Sequence, residues 1–487
     1  MYGVSLLSTM EAMLAQPPRG PLAPWVEGML HLARAAHMLD SPALARRALQ
    51  RAAEGLPRVP GTARQAVYRA RWAQQTADAA AAQAMLARAQ ALAATLDDPT
   101  AAADTWAAVV EAAAAQAWPP PLRAAQRRLP ALADDPWAQV RLWHALLRAW
   151  VRLGAAYPAA DDLLAAVQTW EAPFVAHALR LADATLRHPA AQPALDALEA
   201  RIQSLEPGYA RALAEAAAAR LAVAQGRRAA GQALARAAYH QARRLREPPF
   251  RAEALAQAAH AAAVAGAVAL ARTALQSAAP EAAALGYMDD RARALHPVVA
   301  AYETLGAAQD LAALWPAIAS VGYPRFFAPL AAHWLRAAYA LGATEAAQQA
   351  VAFVLAWAER EPAAWQQVVL LRALPRFGPA LRARRRATAV AYRVPEARYR
   401  AQALAQVATL WRVAAAEAPW RELWAAARAL RASGPRTLAL TAVARAWAQA
   451  DAPAAWQAVQ AAWDDLAYPN ARGAVLVALA SLARLAL

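Results

Sequence analysis

Proline returns along this chain at a narrow interval, and that spacing constrains the fold more than any motif does. Prolines stand at Pro24, Pro60, Pro99, Pro136, Pro173, Pro207, Pro248, Pro324, Pro362, Pro395, Pro435 and Pro469, spaced 33 to 41 residues apart except for one double gap of 76 after Pro248. Proline cannot continue a helix from within but fits well in its first turn. Each of these prolines therefore restarts a helix, and the interval suits a pair of helices. The missing boundary is expected near Asp289 and Asp290, where LGYMDD resembles the other junctions. The count is then twelve units and a terminal helix.

A second signal runs in the same phase. Arg251, Arg291, Arg400 and Arg436 each open an R-x-x-A-L string, and FRAEALAQAA from Phe250 matches YRAQALAQVA from Tyr399 at seven of ten positions. Gly266 and Gly306 each follow their arginine by 15 residues, and Gly154, Gly226 and Gly342 hold comparable mid-unit places. A glycine there supplies the left-handed cap that ends a first helix. Each unit thus reads as helix A, a glycine turn, helix B and a turn holding an acid or a proline. No alternating β-branched run signals a strand, and Ala, Leu, Arg, Glu and Gln are strong helix formers. The expected fold is all-α: an α-solenoid, a superhelix of antiparallel helix pairs. Its divisions are an N-terminal helix with a proline-rich connection (1–23), the repeat array (24–471) and a C-terminal capping helix (472–487).

The unit GATEAAQQAVAFVLAWAEREP resembles the tetratricopeptide-like class of α-solenoids. Ala347 after the glycine, Val351 one turn later and the closing Pro362 are similar to that family's second helix. The resemblance spans residues 24 to 487, with unit length varying instead of holding at one value. HEAT-like repeats are the alternative. Either family implies stacked helical hairpins and a protein-binding role.

Stacking also accounts for the composition. Alanine fills about a third of the positions. One helical hairpin cannot bury its apolar face alone, and small side chains let the axes of stacked neighbours approach closely. Length alone would suggest several globular domains, yet no linker or charge block divides the chain. Of the 18 Trp, eight lie at or before Trp170 and ten at or after Trp315. The middle units are therefore expected to be thinner.

All 51 Lys+Arg residues are Arg, Cys is absent and Asn470 is the one asparagine; the net charge is +16. Without Lys there is no P-loop lysine or Schiff base, and without Cys no disulfide, thiolate nucleophile or zinc-thiolate site. HExxH, GxSxG, GxGxxG and GxxxxGK[ST] are also missing. No cofactor and no enzymatic activity are expected. The N-terminal MYGVSLLSTMEAML lacks a basic leader and carries Glu11, so it reads as a short helix and not a signal peptide. The uncharged stretch from Ala254 to Ala271 is mostly Ala, with Gln257 and His260 inside it, so membrane insertion is not expected. The expected location is cytoplasmic.

Acid pairs at Asp97-Asp98, Asp134-Asp135, Asp289-Asp290 and Asp464-Asp465 fall at unit boundaries. Such pairs can serve acid/base chemistry, but at a boundary they read as caps for the next helix. The nine His are scattered about one per unit with no metal-ligand spacing, so structural or solvent-exposed roles are expected. The repeated arginines could form a ligand ladder, although Glu247 and Glu396, four residues before Arg251 and Arg400, favour local ion pairs bracing the turns.

The candidate binding patch is Arg376, Phe377, Arg382, Arg384, Arg385, Arg386, Tyr392, Arg393, Arg398, Tyr399 and Arg400, a run holding the single acid Glu396. Arginine interleaved with aromatics suits a phosphate-tracking groove, and a solvated helix-B face is the plain alternative. Smaller clusters are Arg123/Arg127/Arg128, Arg227/Arg228 and Arg236/Arg243/Arg244/Arg246. The C-terminal RGAVLVALASLARLAL, with few polar side chains, is expected either to tuck against the preceding unit or to self-associate with a second chain. The sequence thus points to a non-catalytic scaffold that holds a protein or peptide partner, expected to be acidic, on a face lined by helix A. Nucleic-acid backbone binding through the patch is the alternative.

Overall fold

The computed structural model describes residues 2–16, 21–154, 160–375, 380–463, 466 and 469–485. Among these the chain is all-α, with no strand. It opens with α1 (Tyr2–Ala15), α2 (Leu22–Met38), α3 (Pro42–Gly55), α4 (Thr62–Gln75) and α5 (Ala79–Ala94). Next come α6 (Pro99–Ala115), α7 (Pro119–Gln126), α8 (Pro136–Leu153), α9 (Ala160–Gln168), α10 (Ala172–Leu181), α11 (Asp183–Leu186) and α12 (Gln192–Ser204). Regular hairpins follow: α13 (Tyr209–Ala224), α14 (Arg228–Arg244), α15 (Pro248–Val264), α16 (Val268–Ala284) and α17 (Met288–Leu305). Then come α18 (Ala308–Ala313), α19 (Trp315–Ala319), α20 (Pro324–Ala340) and α21 (Thr344–Arg360). The chain closes with α22 (Ala364–Ala373), α23 (Leu381–Arg393), α24 (Ala397–Trp411), α25 (Trp420–Arg428), α26 (Ser433–Ala448), α27 (Ala452–Ala461) and α28 (Pro469–Leu485).

The boundary expected near Asp289 is the start of α17, with Leu285 and Gly286 forming the turn. Proline sits in the first turn of α6, α8, α10, α15 and α20, as the sequence spacing requires. Asp98, Asp135 and Asp451 cap their helices, each accepting from the backbone N–H three residues on at 2.7, 3.0 and 3.0 Å. Asp289 and Asp290 lie instead in the first turn of α17. Asp464 and Asp465 fall outside the described residues. The turns between helices carry Gly226, Gly266, Gly306 and Gly342 at φ of 82°, 71°, 67° and 76°. Side chains other than glycine rarely adopt that conformation.

The helices gather into two compact units. In the Leu86–Ala343 unit, the A helices α6, α8, α10, α13, α15, α17 and α20 pack one on the next, and those from α6 to α17 are each backed by their own shorter or longer helix B. This nearest-neighbour packing is the helical-repeat, solenoid arrangement. Alanine makes the middle of the row tight. On α15, Ala252, Ala254, Ala256, Ala258, Ala259, Ala261, Ala262 and Ala263 are all buried, leaving a line through Phe250, Gln257, His260 and Val264. At Gly231 of α14 a Cβ would stand 2.5 Å from Val223 and 2.9 Å from the Ala219 carbonyl.

The other unit joins residues 1–85 with 344–487. Its A-helix row is α22, α24, α26, α28, α2 and α4, so both ends of the chain lie side by side in one unit. Gly473 of α28 sits against Gly28 and His31 of α2, where a Cβ would come within 2.9 Å of the Gly28 carbonyl. Helix α1 lies beside α28, in the place a helix B would take, and Ser5 receives hydrogen bonds from Trp456 Nε1 (3.0 Å) and Gln460 Nε2 (2.9 Å). The apolar C-terminal segment, a candidate for self-association, thus spends Val475, Leu476, Leu479 and Ala480 in burial within the chain, packed between α26 and α2. No second chain is needed to cover them.

The repeated arginines brace the turns, but not with the expected partners. Arg291, Arg400, Arg436 and Arg472 each point Nε at the carbonyl of the residue six positions earlier, Leu285 (2.9 Å), Val394 (2.6 Å), Leu430 (2.8 Å) and Leu466 (2.8 Å). Arg211 reaches Leu205 the same way through Nη1 (2.7 Å), and Gln65 reaches Val59 (2.7 Å). The accepting residue is a buried aliphatic that ends the preceding segment. Its carbonyl belongs to a helix end that lacks intrahelical partners and favours a cation. Glu396 is an N-cap with extended backbone, outside the helical geometry that an i,i+4 pair needs. Arg251 pairs across to Glu281 of α16 at 2.9 Å, not with Glu247.

Candidate binding face

The A helices of the Leu86–Ala343 unit present one polar line each, because every other side is packed. Along α8 this line holds Trp137, Arg141, His144 and Arg148; along α15 it holds Phe250, Glu253, Gln257 and His260. Side chains link one helix to the next. Arg141 pairs with Asp104 of α6 at 3.3 Å, and Arg148 pairs with Glu111 of the same helix. The Tyr209 hydroxyl donates to Glu253 at 2.6 Å, and Arg293 of α17 approaches the same carboxylate at 3.6 Å. Burial and the neighbouring Glu253 charge push the Tyr209 hydroxyl well above the usual tyrosine range, so it stays a donor.

Further along, His296 and His333 stack with ring nitrogens 3.3 Å apart, and His333 Nε2 lies 3.2 Å from Glu303. Burial lowers His260 to about 3 and His296 to about 4, with like charge from Arg220 and Arg336 nearby adding to the effect. Both rings are neutral at pH 7. Arg220 stands at the equivalent place on α13, 40 residues before His260. Its Nη1 donates to Gln257 at 3.1 Å.

At the N-terminal ends of the same helices runs a row of aromatics: Trp137, Phe174, Tyr209, Phe250, Tyr287 and Tyr323, at intervals of 37, 35, 41, 37 and 36 residues. Trp137 and Phe174 meet edge to face at 5.1 Å, and Tyr209 and Phe250 lie 4.7 Å apart. Trp137 is 47% exposed and Tyr287 77%. The sequence reading missed both the row and the polar line, although the aromatic recurs in phase with proline and was there to be counted.

The arginine-aromatic patch is only partly assembled. Arg376 and Phe377 lie outside the described residues. Arg382, Arg385, Arg386 and Arg393 share one side of α23 by helical spacing, while Arg384, on the opposite side, is buried at 6% exposure. Arg386 grips Glu359 through both nitrogens at 3.1 and 2.8 Å, which holds the carboxyl below the usual range. Arg393 donates to its own helix at Ala389 O (3.2 Å), and Arg400 is spent on the turn carbonyls. Tyr392 is half-buried, and Arg398 lies over Tyr399 at 5.9 Å. Arg382, Arg385 and Arg398 remain exposed with no carboxylate partner among the described residues. The smaller clusters are partly consumed as well: Arg128 reaches Ala94 O (2.7 Å), and Arg227 pairs with Asp196 and Glu199.

No family model matches the chain, and no curated protein matches it. Among solved structures, the chain is similar to one described as a circular tandem repeat protein with novel repeat topology and enhanced subunit contact surfaces. The identity is 12%, covering 92% of this chain and 96% of that one, with a TM-score of 0.21. A superposition that weak bears on neither fold nor function. Among the described residues no helix is long and apolar enough to cross a membrane.

Proposed function

We propose that this chain is a non-catalytic interaction scaffold of the tetratricopeptide-like kind that holds an extended, acidic protein or peptide segment along the A-helix face of its Leu86–Ala343 unit. The observation that carries the reading is the paired periodicity on that face: one aromatic at the start of each A helix from α8 to α20 and a polar line beside it. Packed helices stand about 8 to 10 Å apart. A polyproline-type peptide repeats every three residues, about 9 Å, so each repeat can offer one side chain to each unit. Exposed aromatics supply area at low entropic cost, and the +16 charge favours acidic partners.

The test is fluorescence anisotropy with labelled acidic, proline-rich peptides on the full chain and on a Trp137→Ala, Phe250→Ala, Tyr287→Ala variant. Those side chains are exposed, so the variant folds. Binding by the native chain that weakens at least tenfold in the variant supports the reading. Equal affinity of both removes it.

A second reading rests on α23, where Arg382 and Arg385 are exposed and lack carboxylate partners. Nucleic-acid backbone binding there predicts affinity for mixed single strands that falls steeply with salt. Binding absent at low salt sinks it.

A further inference from the structure

Most charges on the A-helix face of the Leu86–Ala343 unit are matched. Arg141 and Arg148 have Asp104 and Glu111, Arg293 has Glu253, and Arg187 has Asp183 at 2.6 Å. Arg220 and Arg180 are exceptions, with no carboxylate within ion-pair distance among the described residues. Arg180 is exposed, whereas Arg220 is half-buried and bonded to the neutral Gln257 amide. The surrounding charges are Arg180, Arg187 and Asp183, and Asp183 is already engaged. A guanidinium removed from water without a counter-charge is costly, and burial lowers Arg220 to about 10. His260, neutral and close by, adds a ring N–H or lone pair and no charge to satisfy it.

We infer that Arg220, with Arg180 beside it, forms a seat for an oxyanion carried by the partner, the chemistry shared by a carboxylate side chain and a phosphorylated residue. The planar guanidinium matches either anion in a bidentate way. The anion replaces the water that Arg220 has lost and supplies the charge that the protein withholds. The seat lies in the same line as His260 and His296, eleven residues along α13 from Tyr209 of the aromatic row, so a partner that covers both the aromatics and this line brings its anion to it. This inference rests on the peptide-binding reading for its setting, and the ligand chemistry can be tested without it.

The experiment is calorimetric titration of the full chain with inorganic phosphate and, separately, with a glutamate-rich peptide. It is repeated for Arg220→Gln, Arg180→Gln and the control Arg246→Gln, an exposed arginine in the turn between α14 and α15. Expected is binding of at least one probe that weakens on the order of tenfold or more in Arg220→Gln, less in Arg180→Gln and not in the control. If phosphate binds through Arg220 and the peptide does not, the seat stands with phosphate as its chemistry, and the acidic-peptide reading fails. Peptide binding that is indifferent to both substitutions overturns the seat and leaves the scaffold reading intact. Failure of both probes to bind overturns the seat. Should Arg220→Gln fail to fold, Arg180→Gln decides, since Arg180 is exposed and its loss leaves the packing unchanged.

Discussion

Arg220, His260, His296 and His333 occupy successive places on the A helices, separated by 40, 36 and 37 residues, and burial acts on all of them in one direction. Each is disfavoured in its charged form. For His296 the consequence is a pH dependence whose sign follows from linkage. The folded chain keeps His296 neutral down to about 4, while the unfolded chain takes up its proton near 6.5. Stability from this group is therefore complete above pH 6.5 and drains away as pH falls toward 4. The ceiling is about 1.4 kcal/mol per pH unit, reduced by solvent at a half-buried site. Urea midpoints of the native chain and of His296→Gln at pH 7 and pH 5 check it: the variant should lose less on acidification. Arg220→Gln should not lower the melting temperature, because it removes a half-buried charge that has no carboxylate within ion-pair distance among the described residues. A residue-scale prediction of opposite sign concerns Gly473. Its Cβ space is taken by the backbone of α2, so Gly473→Ala should cost about 1 to 3 kcal/mol by forcing the two helices apart. A thermal melt of that variant reads it.

At the scale of the element, the connection between units is a small device: a buried aliphatic ends one helix, and an arginine or glutamine six residues later returns to its carbonyl. Arg436 reaches Leu430 and Arg472 reaches Leu466 in this way. Substituting Arg400→Met or Arg436→Met should each cost about 1 kcal/mol, the worth of a side-chain hydrogen bond that satisfies a helix end. Glu396→Gln should leave stability unchanged, since Arg400 spends its bonds on Val394 and Pro395. Denaturant unfolding of the three variants separates carbonyl bracing from the ion pair that i,i+4 spacing suggests. The element-level signal in the sequence was half visible. The arginines of the R-x-x-A-L strings could be counted, but an acid four residues away looked the better partner until the backbone put that acid on an N-cap.

For the whole molecule, the end segments are interdependent within the unit that contains them. Leu476 and Leu479 of α28 are fully buried, and α28 packs between α26 and α2. Leu476→Ala should cost about 2 to 5 kcal/mol, and removal of residues 472–487 should uncover α2. The near-ultraviolet signal reports both, because Trp25 on α2 and Trp456 on α27 lie in this unit. Loss confined to the C-terminal tryptophan would show that the two ends fold independently and would contradict the packing described.

Proline phase, mid-unit glycines and an alanine excess determined the all-α repeat by themselves, because each acts through local rules: a ring that restarts a helix, a missing Cβ that ends one, a small side chain that lets axes close. Aspartates before Pro99 and Pro136 announced their caps for the same reason. The arginine-aromatic run from Arg376 to Arg400 could not be judged that way. Helical geometry turned Arg384 inward, and Glu359, a residue of another helix, took Arg386. Nor could sequence alone bring Tyr209 to Glu253, His296 to His333, or the last helix to the second. Those meetings join residues 37 to about 445 positions apart, and only the stacking of neighbouring helices, which is a tertiary event, decides which side chains share a face and which charges are left without a partner.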